Sequence, residues 1–267
     1  MKKFLIIFGI LIVVSIAVYA IIYITIPQFK TVEREGEIDS KLSEIYDKGY
    51  ILFGTEATFP PMEFMDEQGN FVGIDIEIAK KIAQDLGVRA EFKHIDWEDI
   101  FDELLADNVD ALISSVTILP ERAEVMAFSN PYFNAGQIIM IREGDTDTIL
   151  SVDNLYDKRL AAQADTTGFF EAQKISEDVR DYLSYQEATE DLLAGELDAI
   201  IIDYPAGIDF VKQYEGLALV GEPFTQEFYG IAINKGNEIL LEKINQSLTR
   251  LKRDGSLEEI INRWVTR

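Results

Sequence analysis

Short apolar runs alternate with helical stretches along most of this chain, and the alternation breaks once and starts again. Ile51 to Gly54 reads as a short strand, Ile74 to Leu86 as a helix, and Arg89 to His94 as a strand. Ile100 to Ala106 reads as a helix and Ala111 to Ser114 as a buried strand. Strand and helix in turn predict a parallel α/β sheet. The pattern restarts after residues 131–136. Ile138 to Ile141, Leu160 to Gln163 and Ala199 to Ile202 read as strands, with helices over Phe169 to Ile175 and Ala188 to Ala194. Tyr229 to Ile233 reads as a further strand. Lys41 to Lys48 is expected to be the first helix of the folded part, and Ile239 to Lys252 and Leu257 to Trp264 the last two.

The stretch from Gly73 to Leu86 is the most informative of these. Asp75 and Glu77 load negative charge onto a helix's first turn, where the backbone dipole favours it. Ile78, Ile82 and Leu86 recur at four-residue spacing beside Ala79 and Ala83, which makes one face apolar. Periodicity alone allows any amphipathic surface helix. The full string, GIDIEIAKKIAQDL, is more specific: it resembles the signature of the family 3 extracellular solute-binding proteins, the polar amino-acid receptors of ABC importers. Further segments are similar to that family, in its order and spacing. They are ILFGTEATFPPMEF (51–64), DALISSVTILPER (110–122), AFSNPYF (127–133), AAQADTTGF (161–169), LDAIIIDYPA (197–206) and RDGSLEEIINRW (253–264).

The resemblance implies a two-lobed α/β fold of the type II periplasmic-binding-protein kind, with the ligand in a cleft between lobes joined by two crossing strands. It places the crossings near residues 132–136 and 226–230. Lobe 1 is then 41–134 together with 230–267, and lobe 2 is 135–229.

Phe4 to Ile26 is apolar apart from Ser15, Thr25, two tyrosines and a glycine. As a helix it reaches roughly 34 Å, enough to cross a bilayer's hydrocarbon core. Lys2 and Lys3 should stay cytoplasmic and send the rest of the chain outside. Residues 1–30 are thus expected to form a transmembrane signal anchor, with a polar tether to about residue 40. A signal peptide cleaved after Ala20 is the competing reading. Cysteine is absent, so no disulfide, thiolate metal site, cysteine nucleophile or lipidated N-terminal cysteine is possible. The net charge is −24, and beyond the first thirty residues 21 basic side chains face 48 acidic ones. Such a surface repels nucleic acid and anionic headgroups.

A free α-amino acid presents a carboxylate and an ammonium, and both must be paired once buried. By resemblance, Arg122 is the carboxylate-binding guanidinium, a planar fork that binds bidentately. Thr167 and Gly168 should open a lobe 2 helix whose N–H groups are further carboxylate donors, with Gln163 at the strand edge. Asp203 matches the family's ammonium-binding aspartate, with the carbonyl of Ser115 and the hydroxyl of Thr117 as companions. Phe59 and Trp97 match aromatic positions that hold the ligand's stem, and Glu56 an acidic position at its distal end. Asp165 departs from the family, which usually has glycine there. Asp tolerates unusual backbone angles and can cap a helix. No cofactor and no metal site is expected.

The expected function is an extracellular receptor that closes on a polar L-amino acid, a cationic one fitting best, and delivers it to an ABC permease, without covalent chemistry. Two alternatives share the fold: an enzyme of the cyclohexadienyl dehydratase type, and a sensing module for a signalling partner. The single histidine, His94, leaves no Ser-His pair and no two-histidine metal set. Prephenate, the dehydratase substrate, has no ammonium for Asp203 to bind.

Overall fold

The computed structural model describes residues 40–265. The expected anchor and its cleavage site therefore lie outside the described residues. Among those described, no helix is long and apolar enough to cross a membrane.

The chain opens with α1 (Ser40–Lys48) and β1 (Tyr50–Thr55), then a small antiparallel sheet of β2 (Thr58–Phe59), β3 (Glu63–Met65) and β4 (Phe71–Val72). There follow α2 (Ile74–Leu86), β5 (Arg89–His94), α3 (Ile100–Leu105), β6 (Ala111–Leu112), α4 (Pro120–Ala123) and β7 (Met126–Phe128). After β8 (Phe133–Ala135) come β9 (Gln137–Arg142), β10 (Leu160–Gln163), α5 (Thr167–Ile175), β11 (Val179–Tyr182), α6 (Tyr185–Ala194) and β12 (Ala199–Asp203). The chain continues through α7 (Tyr204–Gln213), β13 (Leu217–Val220), β14 (Glu227–Tyr229) and β15 (Ala232–Asn234), and closes with α8 (Glu238–Arg253) and α9 (Ser256–Val265).

These strands make two five-stranded sheets, in the orders β5-β1-β6-β15-β7 and β11-β10-β12-β9-β13. Neither sheet is all parallel, which corrects the expectation from alternation. In the first, β1 runs parallel to β5 and β6, but β15 is antiparallel to β6 and β7. In the second, β10 is parallel to β11 and β12, while β9 is antiparallel to β12 and β13. The antiparallel members β9 and β15 are the strands that directly follow the two passages between sheets. They enter from the opposite end, without a helical crossover to reverse them. The passages themselves, β8 and β14, pair antiparallel with each other.

The stretch 229–233 is not one strand. Tyr229 ends β14 and Ala232 begins β15 in a different sheet. Gly230 makes the break, where a Cβ would lie 2.8 Å from the Ile118 side chain. The strand after residue 110 is also shorter than expected. It stops at Leu112, and Ser115 turns into the left-handed region at φ 50.

Helix α2 has the expected bounds, and Ile78, Ile82 and Leu86 are buried on its apolar face. Gly87 ends it in a left-handed cap at φ 74, its N–H bonding Ala83 and Gln84 carbonyls. Asp75 does more than oppose a dipole. It is fully buried, and its Oδ2 accepts from Ser115 N and Tyr132 Oη, each at 2.8 Å. Gly73 precedes the helix at φ 125, ψ 179, a region open essentially to glycine alone, and a Cβ there would stand 2.2 Å from the Met62 carbonyl oxygen. Gly73→Ala should destabilise the fold by about 2–4 kcal/mol, strain and clash adding together. A urea unfolding midpoint unchanged from the parent would contradict this placement.

Candidate functional site

Open α/β sheets present ligand sites at the carboxyl ends of their strands, and both sheets here point such ends at one cleft. Glu56 follows β1, Ser114 to Thr117 follow β6, and Arg122 sits on α4. Across from them, Gln163 ends β10, Thr166 and Thr167 open α5, and Asp203 ends β12. Together with Phe59, Glu63, Trp97 and Tyr185 these side chains line one cavity. The structure thus brings together every residue singled out above except Gly168. That glycine stands behind the wall, where a Cβ would meet Gln137 Oε1 at 2.8 Å and the Ile201 carbonyl at 3.1 Å.

Arg122 is held in a defined pose. Its Nη1 donates to the Thr117 carbonyl at 3.1 Å, and its Nη2 to the Asp165 carbonyl at 3.4 Å across the cleft. The guanidinium carbon lies 4.8 Å from the Phe101 ring centre and 5.5 Å from that of Trp97. Burial lowers its pKa to about 10, against the opposing charges of Asp203, Glu227 and Glu121, so it is a cation at neutral pH. Asp165 takes φ 57, a left-handed angle that explains why a glycine-like position accepts aspartate. The helix cap is not Asp165 but Thr166, whose Oγ1 accepts from Phe169 N at 3.2 Å. The first N–H groups of a helix have no partner within it, and those of Thr167 and Gly168 open α5.

Asp203 is the N-terminal residue before α7, yet its carboxyl makes no capping bond. Pro205 in that helix's first turn lacks an N–H to cap. The carboxyl instead accepts from Tyr229 Oη at 2.7 Å and Gln137 Nε2 at 3.1 Å. Burial, then the charge of Glu227, raise its pKa to about 7. At the other end, Glu56 Oε1 accepts from Gln163 Nε2 at 2.9 Å, a bond between the two sides of the cleft. Burial lifts Glu56 to about 7, the hydrogen bonds from Gln163 and Thr58 opposing it. His94 is a positioning group: its Nδ1 accepts from Ala57 N at 3.1 Å and so steadies the turn after Glu56.

Three acids were not foreseen from sequence as parts of one system. Glu63 lines the cavity beneath Glu56, accepting from Ser114 Oγ at 3.0 Å and Ser115 Oγ at 3.1 Å. Burial and the neighbouring Asp75 push its pKa well above the carboxylate range. Glu227 lies under the cleft on β14, accepting from Thr117 Oγ1 at 2.9 Å and Thr167 Oγ1 at 2.7 Å. Only its alternation with exposed Phe228 and buried Tyr229 could have marked it as inward-facing. Among the described residues no group of acids and histidines could hold a metal ion.

Two α/β lobes, a double crossing and a cleft lined at strand carboxyl ends define a ligand-binding receptor of the periplasmic-binding-protein type. Residues 51–267 match the bacterial extracellular solute-binding proteins, family 3, and the chain belongs to that family. It is 32% identical to the L-cystine-binding protein TcyJ of Escherichia coli (strain K12), over 84% of this chain and 85% of that one. It is also 32% identical to the ABC transporter glutamine-binding protein GlnH of Bacillus subtilis (strain 168), over 94% of both chains. Among solved structures, a mutant of ArgBP from T. maritima is similar at a TM-score of 0.80 and 36% identity, covering 85% of this chain and all of that one.

Proposed function

We propose that this protein is an extracellular receptor that closes on a polar L-amino acid and hands it to an ABC permease. The observation that carries this reading is the pairing, in one cavity, of a half-buried guanidinium at Arg122 with a buried carboxyl at Asp203. A free amino acid's carboxylate and ammonium complement those two groups. Ser115 O and Thr117 Oγ1 complete the ammonium site, and the N–H groups opening α5 the carboxylate site. Lobe 1 then comprises 41–134 and 230–267, and lobe 2 comprises 135–229. Closure is a hinge motion about the crossing strands, stabilised by ligand bonds to both lobes. Relatives that bind cystine and glutamine support the ligand class.

The side-chain end of the cavity favours a cation. Phe59 and Trp97 offer apolar and aromatic walls for a stem, and Glu56 stands at the far end as an acceptor. Arginine, lysine or ornithine fits best, with glutamine as the neutral competitor. Glutamate and aspartate bring a second carboxylate to an acidic end and are rejected. Competition binding tests this assignment, which fails if glutamate or an apolar amino acid displaces bound ligand better than arginine, lysine and glutamine do.

The raised carboxyls add a pH signature. Glu56 and Asp203 have pKa values near 7 in the folded protein, above their unfolded values. Their contribution to stability is complete below the unfolded values and is lost as pH rises through about 7. A cation at Glu56 favours its charged form, so arginine binding should release a proton there. Arginine affinity is expected to rise more steeply than glutamine affinity between about pH 6 and about pH 8. Calorimetry in buffers of different ionisation enthalpy counts the protons. Equal pH slopes for both ligands would remove Glu56 from the side-chain site.

The apolar run 4–26 is proposed as an uncleaved anchor that keeps the receptor at the membrane. The mature chain should begin at Met1 or Lys2 and sediment with membranes. N-terminal sequencing that starts at Ile21 would mean a secreted receptor instead.

A further inference from the structure

β14 lies behind the cleft-lining Thr117 and Thr167, and the hydrogen bonds of its Glu227 settle which way those two hydroxyls point. Glu227 is 7% exposed, and three threonine hydroxyls surround its carboxylate. Thr117 Oγ1, from the first sheet's side, donates to Oε2 at 2.9 Å, and Thr167 Oγ1, from the second sheet's side, to the same oxygen at 2.7 Å. Thr225 Oγ1 donates to Oε1 at 2.9 Å. A carboxylate only accepts, so each hydroxyl spends its single hydrogen on Glu227. Thr167 Oγ1 also accepts from Gln137 Nε2 at 3.2 Å.

A threonine oxygen whose hydrogen is already committed can face a ligand only through a lone pair. Both hydroxyls therefore meet the cleft as acceptors, in the same cavity as the Asp203 carboxyl, and neither favours an anion. Glu227 itself is firmly placed relative to Thr117. Ile118 N donates to Phe228 O at 2.9 Å, and Gly230 N to Val116 O at 3.0 Å, which ties the 116–118 loop along β14.

We propose that Glu227 is a positioning residue: by drawing the hydrogens of Thr117 and Thr167 beneath the floor, it makes that floor acceptor-only and so directs the ligand's α-ammonium to it. This rests on the amino-acid reading above and adds to it the residue that decides which end of the ligand the threonines take. Selection for the α-ammonium is then shared by Asp203 and a residue that never touches the ligand.

The test uses three proteins and two probes. The probes are L-arginine and 5-guanidinopentanoate, which is arginine without its α-ammonium. In Glu227→Leu the hydroxyl hydrogens are released and can turn into the cleft. Arginine affinity should fall about 10- to 100-fold, the scale of a hydrogen bond to a charged group. Affinity for 5-guanidinopentanoate should change less than about threefold, because it lacks the group that the floor selects. Glu227→Gln retains an acceptor oxygen that can face both threonines, and most of the arginine affinity should return. Equal losses for the two probes, or no rescue by glutamine, overturn the proposal and leave Glu227 a packing residue. A ligand-free readout stands beside these. Hydroxyl protons of Thr117 and Thr167 should be visible by NMR as slowly exchanging resonances in the parent and vanish in Glu227→Leu. Their absence from the parent overturns the proposal whatever the protein binds. Their presence in a protein that binds no amino acid supports the arrangement of the floor and sinks the transport reading instead.

Discussion

Arg122→Ala is expected to reduce amino-acid affinity by about 100- to 5,000-fold, a loss of roughly 3–5 kcal/mol. The reason is the asymmetry of burial. Truncation deletes a guanidinium already oriented by Thr117 O and Asp165 O and stacked near Phe101 and Trp97. It leaves the ligand carboxylate with only backbone N–H donors in a cleft whose other charged lining residues are acids. Asp203 and Glu227, whose charges now act to raise the arginine's pKa, would lose their counter-charge. Lysine at this position should recover part of the loss, since it restores charge without the planar fork. Titration calorimetry measures the change. An alanine variant within about tenfold of the parent would mean that Arg122 is a surface group at the mouth of the cleft.

Asp203→Ala is expected to cost about 2–4 kcal/mol of binding, some 30- to 1,000-fold, through the ammonium. The bonds Asp203 receives come from Tyr229 on β14 and Gln137 on β9, so removing it also orphans a buried phenol and amide. Asp203→Asn separates these effects. It keeps an oxygen for Tyr229 and loses only the charge that pairs with the ammonium. The asparagine variant should therefore fold with near-parental stability yet bind arginine weakly. It should also bind with less dependence on pH, because a group with a pKa of about 7 has been removed. Asparagine with parental affinity would place the ammonium elsewhere.

What could be read from sequence was whatever has a local signal. The bounds of α2, β5 and β10 follow from four-residue spacing or from short apolar runs beside glycine and polar turns. The candidate residues that the structure gathers in one cavity could be named because most fall just after strands, within strings that resemble a family's. Strand direction was not legible, since β9 and β15 carry the same apolar composition that a parallel strand would. Helix α7 was not among the expected elements, although proline in a first turn is a helix-start signal. Glu63, Asp75 and Glu227 are acids on a strongly acidic chain, and nothing local distinguishes a buried carboxyl from a solvated one. Their roles appear only when Ser114, Ser115, Tyr132, Thr117 and Thr167 are brought to them from far along the sequence.

Asp165 shows the opposite case. Its departure from the family's glycine reads as a liability for an anion site. In the structure its left-handed backbone aims a carbonyl at Arg122, and its side chain is exposed to solvent. The contact with Arg122 at that position is made by the backbone carbonyl, not by the carboxylate.

The central claim is that the cleft holds a free amino acid by both of its α-groups. The most direct measurement is titration calorimetry of the purified protein, stripped of co-purified ligand, against the twenty amino acids with ornithine and cystine. The account predicts tight, saturable, one-to-one binding at micromolar or lower concentration for a cationic amino acid or glutamine, and none for glutamate. An absence of binding to every one of them would contradict it.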